Sequence, residues 1–271
     1  MARQFLMEDL YYLGELVAFQ RLISTGLRQA TDRGSLYAAT NFQTGLANFR
    51  WLIRDDPDRS RRETDEGIRR WSRLGYHVQH WYNLMARVQT GLYLGQGTTA
   101  YALIQDHWPE LRRSGVFHIQ HTRIAALDLR ARAALAAAEQ SSGRERARYL
   151  KAARRLIATL RRQPDAWARA LALLAGSGLA ALQGDTAATK ETLVAAVKAL
   201  QQNKLWLLAH AARFAGRAYL ADGPADLNPI NARTWMTERG IINPTAICRV
   251  LTPGLEQAGF LQGYHSDNNH G

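Results

Sequence analysis

Cysteine is almost absent. The single residue, Cys248, excludes an intrachain disulfide framework and a Cys-rich zinc cluster, and it fits a reducing compartment. Lysine is nearly as scarce: apart from Lys151, Lys190, Lys198 and Lys204, all of the 35 basic residues are arginine. Long hydrophobic runs are also missing. The longest, Ala170 to Leu182, contains Gly176, Ser177 and Gly178 and falls short of the roughly 18 residues of a membrane span. Glu8 and Asp9 interrupt the apolar run after Arg3, which predicts no secretory leader. The expectation is a cytoplasmic protein with no membrane partner.

Catalytic signatures are missing too. There is no Gly-x-Ser-x-Gly elbow, and Cys248 has no histidine near it in sequence. Gly95-Gln-Gly97-Thr-Thr-Ala100 imitates a phosphate loop, but no strand precedes it and no lysine follows, so its glycines are expected to close a helical hairpin. Carboxylates cluster only between Asp55 and Glu66, where Asp56 and Asp58 suit a helix N-terminus and the others read as a solvated face. No catalytic residue, no cofactor and no enzymatic activity are expected.

What the chain does have is charge and helical periodicity. The formal net charge is +12 and hydrophobic residues make up 46%, enough for a real core. A basic balance points first to nucleic acid. The arginine bias is also what a GC-rich genome produces, and Glu63, Asp65 and Glu66 are interspersed with Arg59, Arg61, Arg62, Arg69 and Arg70, a pattern of i,i+4 pairs on a solvated helix. Apolar stripes at helical spacing run through Ile124, Leu127, Ala131, Ala134, Leu135 and Ala138, through Ala147, Leu150, Ala153, Ile157 and Leu160, and through Leu193, Ala196, Val197 and Leu200. Capping pairs at Asp56-Pro57, Gly184-Asp185, Asn228-Pro229 and Asn243-Pro244 separate them. This predicts helices near 6–32, 35–54, 57–73, 76–94, 98–113, 117–140, 144–162, 165–183, 186–202, 204–221, 228–239 and 244–252, and no strand.

Short connectors turn these into hairpins, and the hairpins repeat. First helices begin near Leu36, Tyr76, Phe117, Ala166 and Leu205, a period of roughly forty residues. Gly75-Tyr-His-Val-Gln-His80 is echoed by Gly115, Val116 and His118-Ile-Gln-His121 one period later. The predicted fold is all-α: an α-solenoid of about six antiparallel helix hairpins over 1–222, capping helices over 223–255 with Trp235, Met236, Ile241, Ile247 and Leu251 packed inward, and a disordered tail over 256–271.

The segments Gly34-Ser-Leu-Tyr-Ala-Ala-Thr-Asn41, Trp51-Leu52, Asp55-Asp56-Pro57, Arg70-Trp71-Ser72, Gly75 to His80, Arg123 to Ala138 and Trp235-Met236 through Pro253-Gly254 occur in that order. Together they resemble the carboxy-terminal tetratricopeptide-like repeat region of large bacterial serine/threonine kinase–ATPase signalling proteins. The resemblance implies a protein-interaction or regulatory end-piece in signal transduction, either separately encoded or part of a longer polypeptide that carries the kinase or ATPase module. It imports no catalysis, because the glycine loop, His-Arg-Asp and Asp-Phe-Gly motifs of a kinase are not in this sequence.

In such a stack the first helices line an inner groove, so the expected partner is a protein or peptide held there, with a kinase/ATPase module as one possibility. The candidate contacts are Asn41, Thr44 and Asn48 on one helix, Gln79, His80 and Asn83 on the next, and Gln120 and His121 on the third. The pairs His77/His80 and His118/His121 also invite a metal reading, weakened because neither pair has Asp, Glu or Cys between its members. The alternative function is nucleic-acid binding through the arginine-rich surface, with Trp51, Trp71, Trp81, Trp108, Trp167, Trp206 and Trp235 as stacking platforms. Their recurrence on helices favours wedges between hairpins instead.

Overall fold

Helix boundaries follow the capping chemistry. The Asp56, Asp185 and Asn243 side chains accept from the backbone N–H groups of Arg59, Ala188 and Ala246, and Pro57 and Pro244 occupy the first helical turn. In the computed structural model, which describes residues 2–72, 74–221 and 229–255, the chain is all-helical. Among the described residues there is no strand. The helices are α1 (Ala2–Leu13), α2 (Leu16–Asp32), α3 (Leu36–Gln43), α4 (Gly45–Ile53), α5 (Pro57–Arg69), α6 (Val78–Tyr93), α7 (Gly97–Arg113), α8 (Gln120–Glu139), α9 (Gly143–Arg161), α10 (Ala166–Leu182), α11 (Thr186–Gln202), α12 (Trp206–Ala215), α13 (Arg217–Leu220), α14 (Ala232–Glu238) and α15 (Pro244–Leu251), with a 3-10 turn at Gly115–His118. No described helix is long and apolar enough to cross a membrane. The segments 222–228 and 256–271, where the repeat–cap junction and the disordered tail were expected, lie outside the described residues.

Three expected helices are each split. The predicted 6–32 breaks at Gly14, whose φ of +76° reverses the chain, and a Cβ there would overlap the Trp235 ring at 2.3 Å. The predicted 35–54 breaks at Thr44, with Gly45 at φ +59° against Tyr82. The predicted 204–221 also divides, at Gly216.

From α4 to α13 each helix packs on the next, and α4 on α6, α6 on α8 and α8 on α10 pack across one intervening helix. Small residues permit this closeness. Ala126, Ala131, Ala133, Ala134, Ala137 and Ala138 of α8 are buried between its neighbours. The second expected stripe is shifted, because Ala147 is exposed and Tyr149 takes the buried position, with its ring edge-on to Tyr101.

The C-terminal helices return to the middle of the chain. α14 packs on α12; α15 packs on α12, α6 and α8. The Ile242 N–H donates to the Ile53 carbonyl at 3.0 Å, and Arg132 Nη1 donates to the Val250 carbonyl at 2.8 Å. The N-terminal α1 packs on α2 and also on α12, so segments far apart in sequence share one core.

Candidate functional site

The expected binding face is in large part an internal one. Thr44, Asn48 and Gln79 are at most 1% exposed. The Thr44 hydroxyl donates to the Thr40 carbonyl at 2.7 Å, and Asn48 Nδ2 donates to the carbonyls of Gln43 and Ser60 at 2.9 and 3.1 Å. Ser60 Oγ joins Asn48 Oδ1 to Thr90 Oγ1, making a polar staple through α4, α5 and α6. Gln79 Nε2 donates to Asn41 Oδ1 at 3.2 Å. Thr44, Asn48 and Gln79 come from the α3–α4 break, α4 and α6 in turn, and each is covered by the neighbouring helices. Their hydrogen-bonding capacity is spent within the fold, and an extended peptide does not reach Thr44, Asn48 or Gln79.

The remaining candidates are dispersed. Gln120 Nε2 donates to Asp165, tying the start of α8 to the start of α10. His121 lines a small interior cavity of about 40 Å³, room for a water molecule but not a substrate. Its Nε2 is 3.1 Å from Glu8 Oε2 and its ring stacks on Trp167 at 5.0 Å. Burial pushes the Glu8 carboxyl up, against the pull of His121. The same cavity is walled by Tyr11, Tyr12, Gln89 and the buried ion pair Asp128–Arg132. Asn41 lines a separate cleft of about 430 Å³ between α1, α2 and α3.

His80 and Asn83 open onto a third and larger cleft, of about 560 Å³, between α6 and α7. His80, Asn83, Leu84 and Arg87 form its α6 wall, extended by Tyr76 just before that helix; His107, Glu110 and Arg113 form its α7 wall at spacings of three. Among the described residues Arg87 makes no ion pair, and the Tyr76 hydroxyl is buried without a hydrogen-bond partner. Arg113 Nε donates to the Pro109 carbonyl at 3.3 Å, which fixes the stem and leaves the outer guanidinium nitrogens to the cleft. His80 Nδ1 accepts from the His77 N–H at 2.9 Å, and burial together with His77 holds its pKa down. Asn83 Nδ2 donates to the Thr64 carbonyl. Arg87, His107, Glu110, Arg113 and Tyr76 were not singled out from the sequence, although two matched ladders at helical spacing are legible there once α6 and α7 are known to pair.

The histidine pairs do not converge. His77 and His80 face each other at 5.6 Å, His77 Nδ1 accepts from Trp71 Nε1, and His121 is committed to Glu8 and Trp167. Among the described residues no group of three or more His, Cys, Asp or Glu is placed to hold a metal ion. Nor is the acidic stretch all solvated. Glu63 turns inward to bond Arg50 and Trp51, burial raises its pKa, and Asp55 accepts from the Tyr93 hydroxyl.

Of the tryptophans, Trp81 and Trp51 are buried core residues, while Trp71, Trp108, Trp167, Trp206 and Trp235 are half-buried. Guanidinium groups already cover several ring faces: Arg59 over Trp51 at 3.8 Å, Arg130 over Trp108 at 4.1 Å and Arg239 over Trp235 at 3.9 Å. His210 stacks on Trp235 at 3.9 Å and 4°. Burial, then Arg213 and Arg239, push the His210 pKa down to about 4. A lowered folded-state pKa stabilises above the unfolded value and is lost as pH falls through the folded one. Melting temperature should therefore decline between about pH 6.5 and 4, and the His210→Phe variant should lose part of that decline. Identical pH profiles for variant and parent would show that His210 does not titrate with unfolding. No family model, curated protein or solved structure matches the chain.

Proposed function

We propose that the chain is a non-catalytic protein-interaction module, a tetratricopeptide-like stack of helical hairpins like the repeat end-pieces of bacterial kinase–ATPase signalling proteins, working in a signalling or regulatory context. The observation that carries this reading is the order of packing: α4, α6, α8 and α10 succeed one another, each joined to its neighbour by α5, α7 or α9. Stacked hairpins of this kind present rigid, extended surfaces to partners. The openings fit binding better than chemistry, since the interior cavity holds little more than water and the larger clefts are open to solvent.

The first helices do not offer an empty groove. The C-terminal α15 lies against α6, α8 and α12, so the partner surface is taken to be the cleft between α6 and α7. The nucleic-acid alternative keeps the +12 charge in its favour, but guanidinium groups already lie over the rings of Trp51, Trp108 and Trp235 where bases would stack.

Affinity capture from the native cell at physiological salt, with and without nuclease, tests the reading. The same protein should be recovered in both, and calorimetry with Mg-ATP should give no binding heat. Loss of the partner on nuclease treatment transfers the function to nucleic acid, whose electrostatic binding should in turn weaken steeply with salt. Stoichiometric ATP binding would overturn the non-catalytic reading.

A further inference from the structure

We propose that the cleft between α6 and α7 receives an extended acidic segment of a partner protein, with Arg87 and Arg113 each taking one of two carboxylates spaced about four to five residues apart. The inference rests on reading the chain as a protein-interaction module and names the chemistry of its partner.

The geometry follows from the connection. Only Leu94–Gln96 join α6 to α7, and the two helices pack together, so they run antiparallel. Arg113, at the end of α7, therefore lies level with Tyr76 and His80 at the start of α6, while Arg87 lies further along, near His107. Counted at about 1.5 Å per helical residue from the ends of the connecting loop, the two arginines sit at levels roughly 15 Å apart. An extended peptide covers that span in about four to five residues at ~3.3 Å each. The cleft volume of about 560 Å³ accommodates such a segment.

Charge selects the ligand. Both guanidinium groups are exposed, and neither makes an ion pair among the described residues, so neither has to be stripped from an internal partner on binding. Glu110 lies in the wall between the two levels. A polyanion with a phosphate at every unit meets repulsion there. A peptide does not, because the residues between its two acids offer backbone N–H groups that Glu110 accepts. Asn83, whose Nδ2 is held by Thr64, keeps its Oδ1 to accept from the peptide backbone. Leu84 supplies the apolar floor.

The test uses the full chain and fluorescence anisotropy at physiological salt. The probes are a labelled ten-residue peptide with two glutamates four positions apart, the same peptide with glutamines, and one with the glutamates adjacent. The spaced diglutamate peptide should bind at micromolar Kd and the others at least about tenfold more weakly. The double variant Arg87→Gln, Arg113→Gln should lose about tenfold or more for the spaced peptide. Its circular dichroism and melting should stay unchanged because both side chains are exposed. Equal binding of the glutamine peptide, or undiminished binding by the double variant, overturns the inference. So does a single-stranded oligonucleotide that binds more tightly and displaces the peptide. If the captured protein survives nuclease and still binds the double variant, the cleft assignment fails while the interaction-module reading stands; if no protein survives nuclease, the module reading itself fails.

Discussion

Replacing Arg132 with methionine is expected to cost about 3–5 kcal/mol, a large share of the 5–15 kcal/mol that holds a typical domain together. Arg132 Nε and Nη2 both lie 2.8 Å from Asp128 Oδ2 and Nη1 donates to the Val250 carbonyl, all in a setting where Arg132 and Asp128 are 9% and 6% exposed. Methionine keeps much of the stem volume, so the loss is electrostatic: a carboxylate and a carbonyl are left buried without a donor. Burial already pushes the Asp128 carboxyl up, opposed by Arg132. Removing the arginine pushes it further. A raised folded-state pKa favours the fold at low pH and disfavours it as pH rises through that value. The deficit of Arg132→Met relative to the parent should therefore be greatest near pH 7 and shrink as the solution is acidified. The double variant Arg132→Met, Asp128→Leu should recover most of the loss, because well-packed apolar pairs substitute for buried ion pairs at little cost. Urea unfolding of the two single variants and the double variant gives the coupling directly, and a single-variant loss under about 1 kcal/mol would show that the pair is not needed.

Helix existence was legible because the apolar stripes of α8 and α11 have the period of a buried helix face and the caps at Asp56, Asp185 and Asn243 are local chemistry. The breaks at Gly14 and Thr44-Gly45 were not legible. The periodic pattern runs through both, and what demands a break is tertiary: the Trp235 ring sits where a Gly14 Cβ would be. The route of α15 was invisible for a related reason. Its amphipathic face is plain in sequence, but the faces of α6 and α8 that receive it are equally satisfied on paper by any apolar partner.

The candidate site shows the same limit. Asn41, Thr44 and Asn48 were grouped on one helix, but the break at Thr44 puts Asn41 on α3 and Asn48 on α4; spacing also does not distinguish a solvated polar face from one that bonds to a neighbouring helix, as Asn48 does to Ser60 of α5. Glu63 misled in the same way, since five nearby arginines suggest surface pairing while its bonds go inward to Arg50 and Trp51. The cleft arginines were hidden by abundance. With 31 arginines in view, Arg87 and Arg113 become distinct only once α6 and α7 are placed side by side.

Ending the chain after residue 221 is expected to cause the largest loss of all, and its pattern decides how the molecule is built. In a simple stack each repeat touches only its neighbours, so removing the end should loosen the last pair and leave the rest protected. Here the removed segment carries Met236, Ile241, Ile247, Val250, Leu251 and Leu255, all at most 2% exposed, and it packs on α6 and α8 as well as on α12. It also supplies the Val250 carbonyl to Arg132 and the Ile242 N–H to Ile53. Truncation therefore uncovers apolar faces on three helices drawn from the first, middle and last thirds of the sequence. The shortened protein should bind a hydrophobic dye and self-associate. By hydrogen exchange, amides of α6 and α8 should lose protection together with those of α12. The milder Ile247→Ala, which leaves the helix in place, should cost about 2–5 kcal/mol with the same three helices affected. Protection lost from α10 to α13 alone, with α6 unchanged, would mean that α15 serves only as a local cover and that the ends of the chain are not joined through it.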